Sequence, residues 1–347
     1  MENFIIKDEN ALYFEVGYSC DNALFIAFDK YGFFITDGRY KTEAEESIKH
    51  DKYKVEILIS RDLIRTARTI LKKHENSTLV YNPQEFSVFA FEKLKNNLKI
   101  NFLPKPNFHQ QKRILKTPQE IELLHHSQKL NFQAFAKFAD FLSKKGEERE
   151  ELYLHFKAQG FLTHKGSFDL SFNPIVGINQ NAAKPHALPS SLKLQKGDLL
   201  LFDAGLKYQR YCSDMTRTGS FGKNGLNFKK QQKFKDAKLQ KIYDVVRKAQ
   251  EYAIAKVKPG MLASEADALA RNVIEKAGFG EYFVHSLGHG IGLDIHELPV
   301  ISPRSKTILE EGMVFSIEPG IYIPNHYGVR IEDLVVLEKS GARVLGI

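Results

Sequence analysis

Three histidines and three glycines crowd into one short stretch, His285-Ser286-Leu287-Gly288-His289-Gly290-Ile291-Gly292-Leu293-Asp294-Ile295-His296. Imidazole is the commonest metal-binding side chain and a proton carrier near neutral pH. Glycine removes the side chain where another backbone or a ligand must come close. Alone, the stretch also reads as turn glycines with histidines scattered among them. The acidic residues on either side separate the two readings. Asp203 ends the run Leu199-Leu200-Leu201-Phe202, and Asp214 sits within Tyr211-Cys212-Ser213-Asp214-Met215-Thr216-Arg217-Thr218. Glu318 follows Val314-Phe315-Ser316-Ile317, and Glu332 precedes Asp333-Leu334-Val335-Val336. Carboxylates in such strand-like runs face burial, which is costly unless they are paired or bound to metal. Four of them around one histidine motif predict an oxygen-rich cage with a single nitrogen ligand. That donor set suits two divalent cations bridged by carboxylates, and therefore metal-assisted hydrolysis.

Asp203, Asp214, His289, Glu318 and Glu332 match, in order and local context, the five ligands of the pita-bread metallopeptidases. The sequence resembles that group over nearly its whole length. The group includes methionine aminopeptidase, Xaa-Pro aminopeptidase (aminopeptidase P) and Xaa-Pro dipeptidase (prolidase). The resemblance implies that Asp214 and Glu332 bridge two metals, that Asp203 completes one, and that His289 and Glu318 complete the other. It implies that Glu318 also accepts a proton. His296 would hydrogen-bond the substrate carbonyl or shuttle a proton, while His186 and His285 shape the cleft. Arg330 would steady a metal carboxylate, and Arg217 is expected to be structural. Hard ligands outnumbering imidazole make Mn²⁺ the expected ion, with Co²⁺ or Zn²⁺ also able to occupy the site. The expected assembly is a homodimer or a dimer of dimers.

Two positions choose within the group. Methionine aminopeptidases generally lack a histidine at the place of His285, whereas Xaa-Pro peptidases carry one. Many prokaryotic prolidases place an arginine after a segment like His296-Glu297-Leu298-Pro299, where it grips the free carboxylate of a dipeptide; this chain has Val300, with Arg304 at a different spacing. The expectation is therefore an Xaa-Pro aminopeptidase, acting on peptides with proline second. Xaa-Pro dipeptidase is the alternative, and a non-catalytic pita-bread binding module is a third reading that the complete ligand set argues against.

The elements that must position these residues divide into two parts. Residues 1–108 read as a small α/β domain resembling the N-terminal domain of creatinase and the Xaa-Pro peptidases. Residues 109–347 read as the pita-bread catalytic domain, giving an α/β (α+β) fold overall. Ala23–Phe28 and Phe33–Thr36 flank a turn at Asp29–Gly32 and predict a hairpin. Asp37 and Arg39 read as a turn-bracing pair. A helix is expected over 41–47, a strand over 55–59, a helix over 63–73, a strand over 78–81 and a helix over 86–94. Pro104-Lys105-Pro106-Asn107 reads as a linker. Thr117, Pro118 and Glu120 have the spacing of a capped helix start. Further helices are expected over 147–159, 234–257 and 264–277, the last with Ser264 as N-cap and Asp267 in its capping box. Asp203 and Asp214 fit antiparallel strands joined by a turn near 207–209. His125 and His126 fit no ligand spacing.

The length of 347 residues allows two domains. Two cysteines, Cys20 and Cys212, make no disulfide framework, so a reducing cytoplasm is the expected setting. Cys212 reads as a strand filler. No run approaches a membrane span, and the N-terminus shows no secretory signal. The net charge of +8 is spread widely, and the densest run, 228–235, reads as a solvated segment, so neither nucleic acid nor membrane is expected as a partner. Walker A, HExxH and Gly-x-Ser-x-Gly patterns are absent. The sequence ends at Gly346-Ile347, soon after the final strand; many relatives carry a short further tail, which bears on C-terminal packing and not on the ligands.

Overall fold

The computed structural model describes residues 2–347. One compact unit ends at Arg113 and the second is Ile114–Ile347.

The first unit is a six-stranded mixed sheet with the order Lys54–Ile59, Tyr31–Thr36, Ala23–Phe28, Phe4–Ile6, Thr78–Tyr81, Asn101–Pro104. Alternation along its central strands feeds two cores. Phe4, Ile6, Phe25 and Ala27 pack on one face. Ile5, Leu24, Ile26 and Phe28 pack on the other. A sheet covered on both faces reads as unbroken apolar runs, as these do. The hairpin turn is only Asp29-Lys30, because the strand resumes at Tyr31. Arg39 donates to Asp37 through Nε (3.0 Å) and Nη2 (2.8 Å), bracing the turn after the hairpin. The expected linker is structured: Pro104 closes an edge strand and Phe108–Arg113 is helical. Pro104 is tolerated there because an edge strand leaves its nitrogen without a ladder role.

In the second unit, Thr117 accepts from the Glu120 N–H (3.3 Å) and Glu120 accepts from the Thr117 N–H (2.8 Å). This reciprocal cap starts the long helix Pro118–Lys145. The other helices are Glu151–Leu162, Ala237–Lys256 and Ala263–Lys276. Two expected starts move later, to Glu151 and Ala237; Asp236 caps the latter by accepting from the Leu239 N–H (2.8 Å). Ser264 is not an N-cap. The helix begins at Ala263, and Glu265 reaches back to the Leu262 N–H (2.8 Å). Asp267 is buried instead, pairing with Arg271 (2.6 Å) and accepting from the Leu287 N–H (3.0 Å).

The strand Leu199–Ala204 lies between Ile175–Ile178 and Met215–Ser220, antiparallel to both. Leu200 and Phe202 pack toward Phe135 and Phe138 of the long helix, with Phe135 and Phe202 ring centroids 4.4 Å apart. Leu199 and Leu201 belong to a second core with helices Ala237–Lys256 and Ala263–Lys276. A strand alternates faces with period two, so Asp203 shares the side of Leu199 and Leu201. The chain then reverses at Gln209 and Arg210, both at positive φ, rather than at 207–209. A five-stranded sheet, Glu297–Ile301, Gly288–Gly290, Val314–Ile317, Asp333–Glu338, Gly341–Val344, carries His289 within a strand and Glu318 and Glu332 beside strand ends, while Tyr322 and Arg330 lie on the hairpin Gly320–Ile323 and Tyr327–Arg330. Among the described residues no helix is long and apolar enough to cross a membrane.

Candidate metal centre

His289 occupies a strand hemmed in by two neighbours. A Cβ on Gly288 would lie 1.9 Å from the Ser316 carbonyl oxygen, and one on Gly290 would lie 2.1 Å from that of Leu298. Only glycine permits that approach, and the imidazole between them is thereby fixed in direction. Its Nδ1–H donates to the Gly290 carbonyl (3.1 Å). That bond leaves the Nε2 lone pair outward, 3.3 Å from Glu318 Oε1 and 3.6 Å from Asp214 Oδ2. Burial lowers the His289 pKa and favours the neutral, ligand-competent form.

The carboxylates are held from behind. Gln128 of the long helix grips the Asp214 backbone at both ends, its Nε2 donating to the carbonyl (2.8 Å) and its Oε1 accepting from the N–H (3.1 Å). Ser316 Oγ donates to Glu318 (3.0 Å), and Thr216 Oγ1 donates to Glu332 Oε2 (2.7 Å). Arg330, buried, donates to Asp203 Oδ2 (2.5 Å), to Thr216 Oγ1 (3.0 Å) and to the Tyr322 hydroxyl (2.6 Å). Asp214, His289 and Glu332 each offer a ligand atom within 4.8 Å of the others.

A metal fits this donor set on an observation independent of its pattern. Asp203 Oδ1, Asp214 Oδ1 and Glu332 Oε1 are buried and have no hydrogen-bond partner. Unpartnered buried oxygens are rare because each forfeits its solvation. Burial first, and then the neighbouring carboxylates, push Asp214 and Glu332 well above the usual carboxylate range. Burial pushes Glu318 up to about 7. Cations of high charge remove both penalties at once.

This crowding predicts a pH dependence of the metal-free protein. A carboxyl raised from 4.5 to about 7 keeps its proton when folded and loses it on unfolding. Its stabilising contribution is therefore complete below about pH 4.5, falls as the pH rises, and is gone above about 7. In chelator, Tm is expected to decline from about pH 5 to about pH 8, and a saturating divalent ion is expected to raise Tm and flatten the slope. The lowered His285 pulls the other way below about pH 6.5, so calorimetry compares the wild type with Glu318→Gln; a wild-type decline no steeper than that of the variant would refute the crowding.

The remaining histidines differ in character. His285 donates from Nδ1–H to the Ser286 carbonyl (2.8 Å), so its Nε2 accepts from the Tyr322 hydroxyl (2.9 Å). Burial, and then the Arg330 charge, lower its pKa to about 4. It is a neutral strut that holds Tyr322, and through Tyr322 it bears on Arg330. His296 meets His289 edge to face, with centroids 4.3 Å apart. His186 is exposed on a loop at the rim. All of these line one cavity of about 620 Å³, with Asp203, Asp214, Glu318 and Glu332 on its walls and Phe172, Leu188 and Val300 among its apolar groups. Arg304 does not line it.

Two outlying residues are structural. Arg217 donates to Asp333 (2.5 Å) and to the Glu332 carbonyl. Cys212 is buried in a short strand. Within the 228–235 run, read as solvated, Lys230 is in fact committed to Asp333 (2.5 Å). Sequence reasoning passed over Gln128, Thr216, Ser316 and Tyr322 as supports. A hydroxyl aromatic inside the apolar run after Glu318 was the available signal, since a buried tyrosine hydroxyl finds a partner.

A family model described as metallopeptidase family M24 matches residues 122–339. The chain is similar to the Xaa-Pro dipeptidase of Pyrococcus furiosus, 39% identical over 233 residues, which are 67% of this chain and 63% of that protein. It thus spans just under two thirds of the length of that curated relative, and 62% of the Pyrococcus horikoshii one. Among solved structures it resembles an Xaa-Pro dipeptidase from Bacillus anthracis, with a TM-score of 0.89 and 31% identity over 99% of this chain and 92% of that one. It also resembles an X-Pro aminopeptidase from Thermotoga maritima, with a TM-score of 0.86 and 27% identity over 100% and 96% of the two chains. The mixed α/β fold expected from the sequence, with its pita-bread second part, is the fold of these structures.

Proposed function

The chain belongs to metallopeptidase family M24, and on that footing we propose that it hydrolyses the bond before a proline in second position, with Xaa-Pro dipeptides as its first substrates. The observation that carries the reading is the set of unpartnered buried carboxylate oxygens on the wall of the cavity. The names of the relatives favour the dipeptidase over the aminopeptidase, which reverses the order expected from Val300 alone.

Asp203, Asp214, His289, Glu318 and Glu332 would hold two divalent ions, with Mn²⁺ the ion best suited to four carboxylates and one imidazole. Bound ions would polarise the scissile carbonyl and acidify a water for attack on it. Glu318 would accept the proton of the attacking water and pass it toward the leaving nitrogen. His296, beside His289, would donate a hydrogen bond to the carbonyl as charge develops there. Arg330 would keep Asp203 aimed, supported by Tyr322 and His285. Phe172, Leu188 and the His186 loop would form the apolar wall that suits a proline ring.

A specific observation keeps the aminopeptidase as a second reading. Val300 lines the cavity, and Arg330, already engaged with Asp203, is the one lysine or arginine lining it among the described residues. A dipeptide's free carboxylate would find no guanidinium there. The expected result is that Ala-Pro and Ala-Pro-Ala are both cleaved, with kcat/KM favouring Ala-Pro by less than about tenfold. Val300→Arg should widen that preference by roughly tenfold, the worth of a charge-assisted pair. Steady-state kinetics on the matched pair decides between the readings: a wild-type preference for Ala-Pro-Ala would make the protein an aminopeptidase.

A further inference from the structure

His186 reaches the cavity from the loop that follows Asn179–Ala183. Among the described residues no hydrogen bond holds its ring. Its position is therefore inherited from the two ends of the loop, and both ends converge on one side chain. Glu151 is the first residue of the helix Glu151–Leu162 and is fully buried, at 0% exposure. Its Oε1 accepts from the Ile178 N–H (2.6 Å), upstream of the loop. Its Oε2 accepts from Asn181 Nδ2 (2.7 Å), also upstream, and from the N–H (2.8 Å) and hydroxyl (2.6 Å) of Ser190, downstream. Asn181 carries the grip inward, donating to the Leu188 carbonyl (2.9 Å) and accepting from Lys184 (3.0 Å).

Resting on the peptidase reading, we propose that Glu151 is a positioning residue for the reaction: it closes the loop 182–189 on a single carboxylate and so sets where His186 meets the substrate. A carboxylate is the side chain this place demands. Four donors face it, on both oxygens, and only an acceptor-only group satisfies them together. The site at the first turn of a helix also favours negative charge. Glutamine fails whichever way its amide is turned, because its NH₂ then confronts either the Ile178 N–H or the donors of Asn181 and Ser190. The Ser190 end has a second hold, since the Leu152 N–H donates to the Ser190 carbonyl (3.2 Å). The tie from Ser190 to Ile178 runs through Glu151.

The test is a double-mutant cycle on the metal-loaded enzyme with Ala-Pro as substrate. Glu151→Gln should lower kcat/KM by about 10²-fold, the scale of a displaced reacting group. In a His186→Ala background the same change should cost less than about threefold, because its route is already cut. Amide hydrogen exchange on the metal-free protein gives a second readout. The segment 178–190 should exchange faster in Glu151→Gln, while the strand Leu199–Ala204 keeps its protection. Should Glu151→Gln not fold, Ser190→Ala, which deletes one of the four donors, runs the same cycle at smaller amplitude. Equal losses in both backgrounds, or unchanged exchange over 178–190, would overturn the proposal. A wild-type protein that cleaves no Xaa-Pro peptide would instead overturn the peptidase reading itself.

Discussion

Asp214→Asn is expected to abolish peptide hydrolysis while leaving the fold intact. Its backbone is held by Gln128 whatever the side chain carries, so the amide should sit where the carboxylate did. On the proposed ligand set it would remove a negative charge that both ions share, together with a buried oxygen that has no hydrogen-bond partner. The loss in kcat/KM should exceed the roughly 10–100-fold typical of an outer-sphere partner. Metal content should fall below two ions per chain. A less obvious result should accompany it: metal-free Asp214→Asn should melt above the metal-free wild type, because burial and Glu332 both penalise the ionised Asp214. Elemental analysis, kinetics and calorimetry on the same preparation test this. Full activity with two bound ions would remove Asp214 from the ligand set.

His296→Ala is expected to separate metal binding from turnover. The imidazole packs against His289 but lies outside the five-ligand set, so both ions should remain. The hydrogen bond it would give the substrate carbonyl matters most as charge builds there, so the loss should fall on kcat, by about 10²–10⁴-fold, with KM little changed. Burial, and after it the neighbouring His289 and His186 rings, lower its pKa, which favours the neutral ring as the donor. Loss of a metal ion in the variant, or a defect confined to KM, would contradict this role.

The proposed ligands stand out in the sequence because metal binding dictates residue type. Asp203, Asp214, Glu318 and Glu332 each break an apolar run with a charge that burial alone would forbid. The capped helix start at Thr117 was legible for a similar reason, since its partners are three residues apart. Gln128, Tyr322 and Glu151 were not. Gln128 meets Asp214 across 86 positions, and nothing local marks a helical glutamine as the support of a distant backbone. The start of the helix at Ala263 escaped because two acidic residues competed for the cap, and tertiary burial claimed Asp267 for Arg271 and Leu287. Phe4–Ile6 escaped because three residues are too few to show a period.

Glu332 and Asp333 are adjacent carboxylates with opposite surroundings. One oxygen of Glu332 has no partner, while Asp333 receives Arg217, Lys230 and Gln250 and is held below the usual carboxylate range chiefly by Arg217 and Lys230, against the effect of burial. A slip of one residue in this strand would exchange their faces. Asp333 would then turn toward the other carboxylates, and a shorter acid would stand where Glu332 is proposed to hold metal. The doublet thus writes the pairing register in charge, since a misaligned strand would put the wrong acid among the proposed ligands.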